Sequence, residues 1–402
     1  MTFTQSIQLL QSLAVKKGIN YSLEKLTPIL NELNNPEKNL PTSIHIAGTN
    51  GKGSTTAFLK SLCLHTNKTV ITFTSPHLSC YTERITYNDS SISQKKFCEL
   101  FNKIQPFLNY GLTEFEVLTL MALIYCDQQK PDVCIFEVGL GGRLDATNVI
   151  SPTCSIITHI DYDHQQFLGN TLTQIALEKA GIMKQNIACF STTNQHNDVK
   201  SSLISHAKTT QTPLTFISPL TTSEKFTHLN ATYQKENASL AKAAFNYLFK
   251  QNQKSTLEDG LKKAIHWGRF SQFTHNNTNI IIDAAHNISG LTQLKKNLDL
   301  TVDYAKRTLV FGLHKNKDPH TLLPLISSLA PTLYYCEFCT QFAIKFSTIQ
   351  TLTSTPIKPY TINSTLPKAN TLILTGSIYF IGHFHKSFQL THQNSKPKLI
   401  KT

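Results

Sequence analysis

Apolar positions recur along the chain with two different periods. Near the start they fall at helical spacing, Ile7, Leu9, Leu10 and Leu13, then Leu23, Leu26, Ile29, Leu30 and Leu33, until Asn34-Asn35-Pro36 stops the pattern. Residues 1–40 therefore read as helical. From Ile44 onward, short β-branched runs alternate with helical segments. Ile44-His45-Ile46-Ala47 is a strand that enters Gly48-Thr49-Asn50-Gly51-Lys52-Gly53-Ser54, and Thr55–Cys63 has helical character. Further strands are expected at Thr69–Thr74, Val133–Val138 and Cys154–Ile160, with helical segments over 93–130 and Thr173–Met183. Residues 185–229 read as strands and a helix, and Tyr233–Phe249 as a helix with alanine on one face. After Trp267-Gly268-Arg269-Phe270 and a polar stretch, Ser271–Asn279, a new α/β unit begins. Its strands are expected at Ile280–Ile282, Thr308–Phe311, Thr332–Tyr335 and Thr371–Thr375. Alternation of this kind predicts an α/β fold with mostly parallel sheets. The boundary between the two domains is placed near 270, giving 1–270 and 271–402.

The chemistry gathers where strands end. Three glycines and a lysine before hydroxyl residues, between a strand and a helix, describe a P-loop whose backbone N–H groups wrap a polyphosphate. Lys52 would neutralise the phosphates and Ser54 would offer a hydroxyl to Mg²⁺. The loop is shorter than the common form, and Gly53 separates the lysine from the hydroxyl. The second strand delivers Ser75-Pro76-His77-Leu78, the third carries Glu137, and the fourth leads to Asp163-His164. A carboxylate in a buried strand needs a cation, such as Arg143, or a metal. If these strands are parallel neighbours, Ser54, Ser75, Glu137 and His164 reach one sheet edge as a mixed O/N set that Mg²⁺ accepts. Lys179, in Glu178-Lys179-Ala180-Gly181, reads on spacing alone as an exposed helix cation.

Composition narrows the picture. Over 402 residues, 40% hydrophobic and 16% charged content suit a globular protein with a sizeable core. The net charge of +13 comes from dispersed basic residues, densest over Lys386–Lys401, which suits small polyanions and argues against nucleic acid. No apolar run approaches the roughly 18–20 residues of a membrane span, so no membrane partner is expected. The first residues lack a basic segment followed by an apolar core, so a cytoplasmic location is expected. Nine cysteines stand singly, as small core residues of a reducing compartment do. Cys336-Glu337-Phe338-Cys339 reads as a strand end rather than a redox or zinc site.

Five blocks carry a resemblance. Gly48–Ser54, Ser75–Leu78 with Tyr81-Thr82-Glu83-Arg84-Ile85, Phe136–Asn148, Asp163-His164 with Leu168-Gly169, and Glu178–Ile182 resemble the folylpolyglutamate synthase/dihydrofolate synthase family, bacterial bifunctional type, within the Mur ligase superfamily. The resemblance implies a P-loop ATPase and folate-binding domain followed by a smaller Rossmann-like domain. It implies an ATP-dependent ligase that joins L-glutamate to dihydropteroate and to folates through an acyl phosphate, acting as a monomer. ATP would be held by Asn50, Gly51, Lys52, Gly53 and Ser54, with Asn237, Arg269 and Asp283. Magnesium, in two ions, would be held by Ser54, Ser75, Glu137 and His164, and by Lys179 once carbamylated. Lys52, Lys179 and His286 would act at the phosphates. The pterin substrate would lie along Thr113, Glu114, Phe115 and Glu116 and along Leu144, Asp145 and Ala146, with Ser22 and Leu23. Two positions depart from the family pattern: Tyr233-Gln234 stands for His-Gln, and Trp267-Gly268-Arg269 for Pro-Gly-Arg. Alternatives are one of the two glutamate additions only, a ligase of cell-wall precursors, a P-loop kinase, or a nucleotide-binding regulator.

Overall fold

The computed structural model describes residues 1–14, 23–221, 226–250, 254–362 and 364–391; Ser22 lies outside them. The chain divides into two compact units, Met1–Thr222 with Lys235–Leu261, and Ser223–Gln234 with Lys262–Thr402.

The first unit is built on eight strands: β1 Thr42–Ala47, β2 Val70–Phe73, β3 Ile85–Tyr87, β4 Ser90–Ser91, β5 Val133–Glu137, β6 Cys154–Ile157, β7 Ala188–Thr192 and β8 Leu214–Ile217. Their order is β4-β3-β2-β5-β1-β6-β7-β8. From β2 to β8 all neighbours are parallel, and only the β2–β3 and β3–β4 pairs at one edge are antiparallel. Every residue of β2, β5, β6 and β7 is buried, which is why these strands read as continuous apolar runs rather than alternating ones. Helix Glu114–Gln129 shares one apolar cluster with Ile71, Phe73, Cys134 and Phe136, and helix Lys52–His65 packs on β1, β2 and β5.

The second unit holds β9 Ser271–His275, β10 Thr278–Ile282, β11 Arg307–Phe311, β12 Thr332–Cys336, β13 Ile357–Tyr360 and β14 Thr371–Thr375, ordered β13-β12-β11-β14-β10-β9. All pairs are parallel except β9 with β10. The α/β class and its two mostly parallel sheets are those expected. Among the described residues, no helix is long and apolar enough to cross a membrane.

Two local expectations change. The polar stretch Ser271–Asn279 is a β-hairpin, because Asn276 and Asn277 take φ 45° and 61° and make the two-residue turn that suits strand twist. The fourth strand stops at Ile157, three residues early, because the backbone of residues 158–160 turns to meet the glycine-rich loop.

Candidate active site

The glycine-rich loop leaves β1 at Gly48, whose φ is 150° and whose missing Cβ would overlap the Thr158 hydroxyl. Gly51, at φ 96°, caps helix Lys52–His65, and a Cβ there would overlap Oδ1 of Asn237. Both positions combine a left-handed backbone with a close approach that only glycine permits. The loop is bolted to the chain after β6: Thr49 N–H donates to the His159 carbonyl at 2.9 Å and Asn50 N–H to the same oxygen at 3.2 Å. The Thr49 hydroxyl donates to the Asp161 carbonyl at 2.9 Å.

Two ammonium groups converge on this loop. Lys52 Nζ donates to the Gly48 carbonyl at 3.1 Å, and Lys179 Nζ donates to the same oxygen at 3.0 Å. Lys179 is 4% exposed, so the reading of it as an exposed helix cation is corrected. Desolvation, and then the nearby Lys52 charge, lower its pKa to about 7. At the start of helix Lys52–His65, Ser54, Thr55 and Thr56 are buried. Among the described residues the Thr55 and Thr56 hydroxyls have no hydrogen-bond partner. Buried donors without partners, a helix N-terminus and two lysines fit a polyphosphate. The motif itself points only to Ser54, although Thr55 and Thr56 follow it directly.

The strand order carries the expected metal ligands to the same edge. Because β2, β5, β1 and β6 are parallel neighbours, the segments holding Ser75, Glu137 and His164 all leave the carboxyl ends of the sheet. Glu137 is level with Ile46 of β1 and 4% exposed. Its suggested cation is engaged elsewhere: Arg143 binds Glu178 Oε1 through Nη2 at 2.7 Å and Nε at 3.1 Å. The glycines of this loop serve the same contact, since a Cβ on Gly142 would stand 2.8 Å from the Glu178 carbonyl. His164 takes φ 51° and its backbone N–H donates to the Asp163 carboxylate at 2.9 Å. Hydroxyl, carboxylate and imidazole together make a donor set that a magnesium ion accepts.

The segments expected to hold the pterin divide into anchors and surfaces. Thr113 and Glu116 form a capping box, the Glu116 N–H donating to Thr113 Oγ1 at 3.2 Å and the Thr113 N–H to Glu116 Oε2 at 2.7 Å. Lys25 pairs with the other Glu116 oxygen at 2.9 Å. The Thr-x-x-Glu spacing before an apolar run carried that signal in the sequence. Asp145 is likewise an anchor: Oδ2 accepts the N–H groups of Gly139 and Leu140, both at 2.9 Å, and Oδ1 accepts Thr147 N–H at 3.0 Å. Burial raises its pKa. Thr147 in turn meets His45 Nε2 at 2.8 Å, and burial lowers that imidazole to about 3. Phe115 lies against the loop, 2.7 Å from where a Gly139 Cβ would be. Leu23 and Leu144 are half-buried and Ala146 is buried.

Glu114 belongs to a cluster that sequence spacing did not reveal. Arg84 Nη2 donates to Glu114 Oε1 at 3.1 Å and Arg84 Nε donates to His77 Nδ1 at 2.9 Å. Accepting at Nδ1, next to a guanidinium and largely buried, His77 is neutral, its pKa lowered to about 3.

In the second unit, Asp283 follows β10 and is buried. Its carboxylate accepts Phe270 N–H at 2.9 Å, Ala285 N–H at 2.9 Å and the Tyr233 hydroxyl at 3.1 Å. Desolvation raises its pKa, against the opposing pull of the Arg269 guanidinium. Arg269 sits between Gly268 at φ 74° and Phe270 at φ 55°, a turn closed by Ala284 N–H on the Gly268 carbonyl at 2.8 Å. His286 holds the Ala284 carbonyl through Nδ1 at 2.8 Å; a carbonyl only accepts, so Nδ1 carries the proton. Tyr233, at the departure from the family pattern, is thus the donor that completes the Asp283 shell.

A nucleotide loop at the carboxyl edge of a parallel sheet, followed by a second α/β unit, is the arrangement of a Mur-type ligase. The Mur ligase middle domain family matches residues 46–277. The dihydrofolate synthase/folylpolyglutamate synthase of Bacillus subtilis is 31% identical, with 92% of this chain and 96% of that protein covered. The dihydrofolate synthetase of Saccharomyces cerevisiae is 33% identical over 77% of this chain and 79% of its own length. Among solved structures, E. coli FolC in complex with DHPP and ADP is 25% identical, covers 97% of this chain and 98% of that one, and superposes with a TM-score of 0.85. The folylpolyglutamate synthase of Thermotoga maritima, 26% identical, covers 98% of both chains with a TM-score of 0.83. The chain belongs to the dihydrofolate synthase/folylpolyglutamate synthase family of Mur ligases.

Proposed function

We propose that this chain is an ATP-dependent ligase that joins L-glutamate to dihydropteroate and to folates. The observation that carries the reading is the pair of lysine amines, Lys52 and Lys179, donating to one carbonyl of the phosphate loop. The Lys52 ammonium, at the N-terminus of its helix, leaves positive charge over for a phosphate group, and it is one of the two causes that lower the pKa of the second amine, Lys179, to about 7. The bound ADP of E. coli FolC, a relative of the same fold, supports the nucleotide, and its DHPP supports a folate-related acceptor.

A carboxylate at neutral pH is a poor electrophile, so the acceptor must first receive the terminal phosphoryl group of ATP. The glutamate amine then attacks the acyl phosphate, and phosphate leaves. Lys52 and the N-terminus of helix Lys52–His65 neutralise charge on the transferring group, with Ser54 offering its hydroxyl. Asn50, Gly51 and Gly53 wrap the phosphates with backbone, and Asn237 lies beside Gly51. In the second unit we assign Arg269, Asp283 and His286 to the nucleotide, Asp283 acting by fixing the backbone on either side. Ser54, Ser75, Glu137 and His164 would hold Mg²⁺, which supplies charge neutralisation at the phosphates. With its pKa near 7, Lys179 has enough neutral amine to take up CO₂, and the carbamate would turn it into a ligand for a second ion. Glu114, Phe115, Leu144 and Ala146, with Leu23, are the surfaces we assign to the pterin, held in place by the Thr113–Glu116 and Asp145–Thr147 anchors.

The test is ADP release with Mg-ATP and L-glutamate, comparing dihydropteroate with tetrahydrofolate and identifying products by mass. Glutamate-dependent turnover with both acceptors is the expected result; turnover with one assigns the enzyme to that step alone. Phosphorylation without glutamate, or ATP binding without turnover, overturns the ligase reading.

A further inference from the structure

We propose that His159, Asp161 and His196 form a site for a divalent transition-metal ion of the zinc class, with ligands different from those assigned to magnesium. His159 Nε2 and His196 Nε2 each stand 3.9 Å from the same Asp161 oxygen, Oδ2. One ligand atom from each residue lies within 4.8 Å of the others, and the two imidazole rings are 5.8 Å apart.

The spacing is what distinguishes this group from a hydrogen-bonded cluster. At 3.9 Å both imidazole nitrogens face Oδ2 yet stop well short of the roughly 2.7–3.2 Å of an N–H···O bond. Ligands around a tetrahedral ion, each about 2.0–2.2 Å from it, stand about 3.4 Å apart. A contraction of about half an ångström brings each imidazole nitrogen to that distance from Oδ2, and the two imidazoles, whose ligand atoms lie within 4.8 Å of each other, close by side-chain rotation.

The surroundings are those of a held site. Glu236 Oε1 lies 4.0 Å from the other nitrogen of His159, Nδ1, and its second oxygen accepts Asn194 Nδ2 at 2.9 Å. At 4.0 Å Glu236 stands outside hydrogen-bond reach of the ring, and a shift like the one that closes the ligands would bring it to Nδ1, where a carboxylate orients a ligating imidazole and raises its basicity. The two ligand-bearing segments are joined by Gln195, 4% exposed. Its Oε1 accepts Ile160 N–H at 2.9 Å and its Nε2 donates to the Thr158 carbonyl at 2.8 Å. His196 occupies the N-cap position of helix Asn197–Thr209, so its backbone is fixed by the helix start. Two imidazoles and one carboxylate favour Zn²⁺, Co²⁺ or Ni²⁺ over magnesium, which prefers oxygen. His196 is 47% exposed at its side chain, which gives an ion a path in and leaves room for a water as fourth ligand. The site stands one hydrogen bond from the phosphate loop, through the His159 and Asp161 carbonyls.

The experiment is calorimetric titration of the metal-free full chain with Zn²⁺ in excess Mg²⁺ under reducing conditions. One equivalent that Mg²⁺ does not displace is expected. His196→Ala and Asp161→Asn should abolish it, Glu236→Gln should weaken it about 10–100-fold, and Glu137→Gln and His164→Ala should leave it intact. Co²⁺ in place of Zn²⁺ should give the visible absorption of a low-coordinate ion, lost in His196→Ala. Circular dichroism checks each variant, and if His196→Ala fails to fold, the Glu236→Gln shift decides. The proposal falls if no equivalent binds in Mg²⁺, if Glu236→Gln leaves affinity unchanged, or if the equivalent of Zn²⁺ persists in folded His196→Ala.

Discussion

The carboxyl edges of the two sheets handle buried charge in opposite ways. At the first, Lys52 and Lys179 share a single carbonyl acceptor, and hydroxyls at the helix start have no partner among the described residues. At the second, the Asp283 carboxylate is met by two backbone N–H groups and a tyrosine hydroxyl. One edge keeps donors in reserve and the other has used its acceptor to tie Phe270 to Ala285. Buried charge short of partners costs stability and persists where a ligand completes it, whereas satisfied buried charge specifies a shape. The same split runs inside the first unit, where Asp145 belongs with Asp283 as a group that holds a loop.

Lys52→Ala is the strongest way to break that comparison. It should lower kcat by at least about 10²–10³-fold while the thermal midpoint changes little. ADP release beside a melting curve measures both, and near-normal turnover would remove the first edge from the chemistry.

Lys179→Met comes next, and pH separates its two consequences. The folded amine titrates at about 7 against 10.5 for the ordinary group, so between those values the unfolded chain binds more protons. Stability therefore rises as pH climbs from about 7 to about 10.5, and is lost as pH falls back through that window. The variant should flatten this slope in urea unfolding at several pH values, gain stability at neutral pH, and lose turnover. In the parent, turnover should climb through pH 7 and respond to added bicarbonate. An unchanged slope would show that the buried amine does not titrate there.

Asp283→Asn should show the other behaviour. In either orientation the amide sets its N–H group against a backbone N–H, that of Ala285 or that of Phe270, which costs about 1–3 kcal/mol, read as a lower urea midpoint. A variant of normal stability would show that this carboxylate does not hold the Gly268–Phe270 turn.

Elements that bury one type of surface were legible from sequence, and those that depend on turns or on distant partners were not. Continuous apolar runs announced β2, β5 and β6, and glycines announced the phosphate loop, because each is a local pattern with a local cause. The parallel order needed to unite Ser75, Glu137 and His164 followed from alternation of strand and helix. The β9–β10 hairpin was missed because its cue is a pair of asparagines inside a polar run. Lys179 looked exposed because nothing in its own helix turn says that Gly48, 131 residues away, lies against it. Arg84, His77 and Glu114 meet through their folded positions, which spacing does not encode.

Thr113→Ala has the smallest expected effect and sharpens the distinction most finely, since Thr113 was expected at the substrate and is found in a cap. Its hydroxyl accepts the Glu116 N–H, so its loss should cost about 1 kcal/mol of stability. Glu116 would keep Lys25, 2.9 Å away, and the helix start would fray only locally. If Thr113 works only as an anchor, the midpoint falls slightly and KM for the pterin acceptor stays put. A raised KM at unchanged stability would instead move Thr113 from the residues that hold the site to those that touch its ligand. Thr113→Ser separates the two further, because serine keeps the cap and removes only a methyl group.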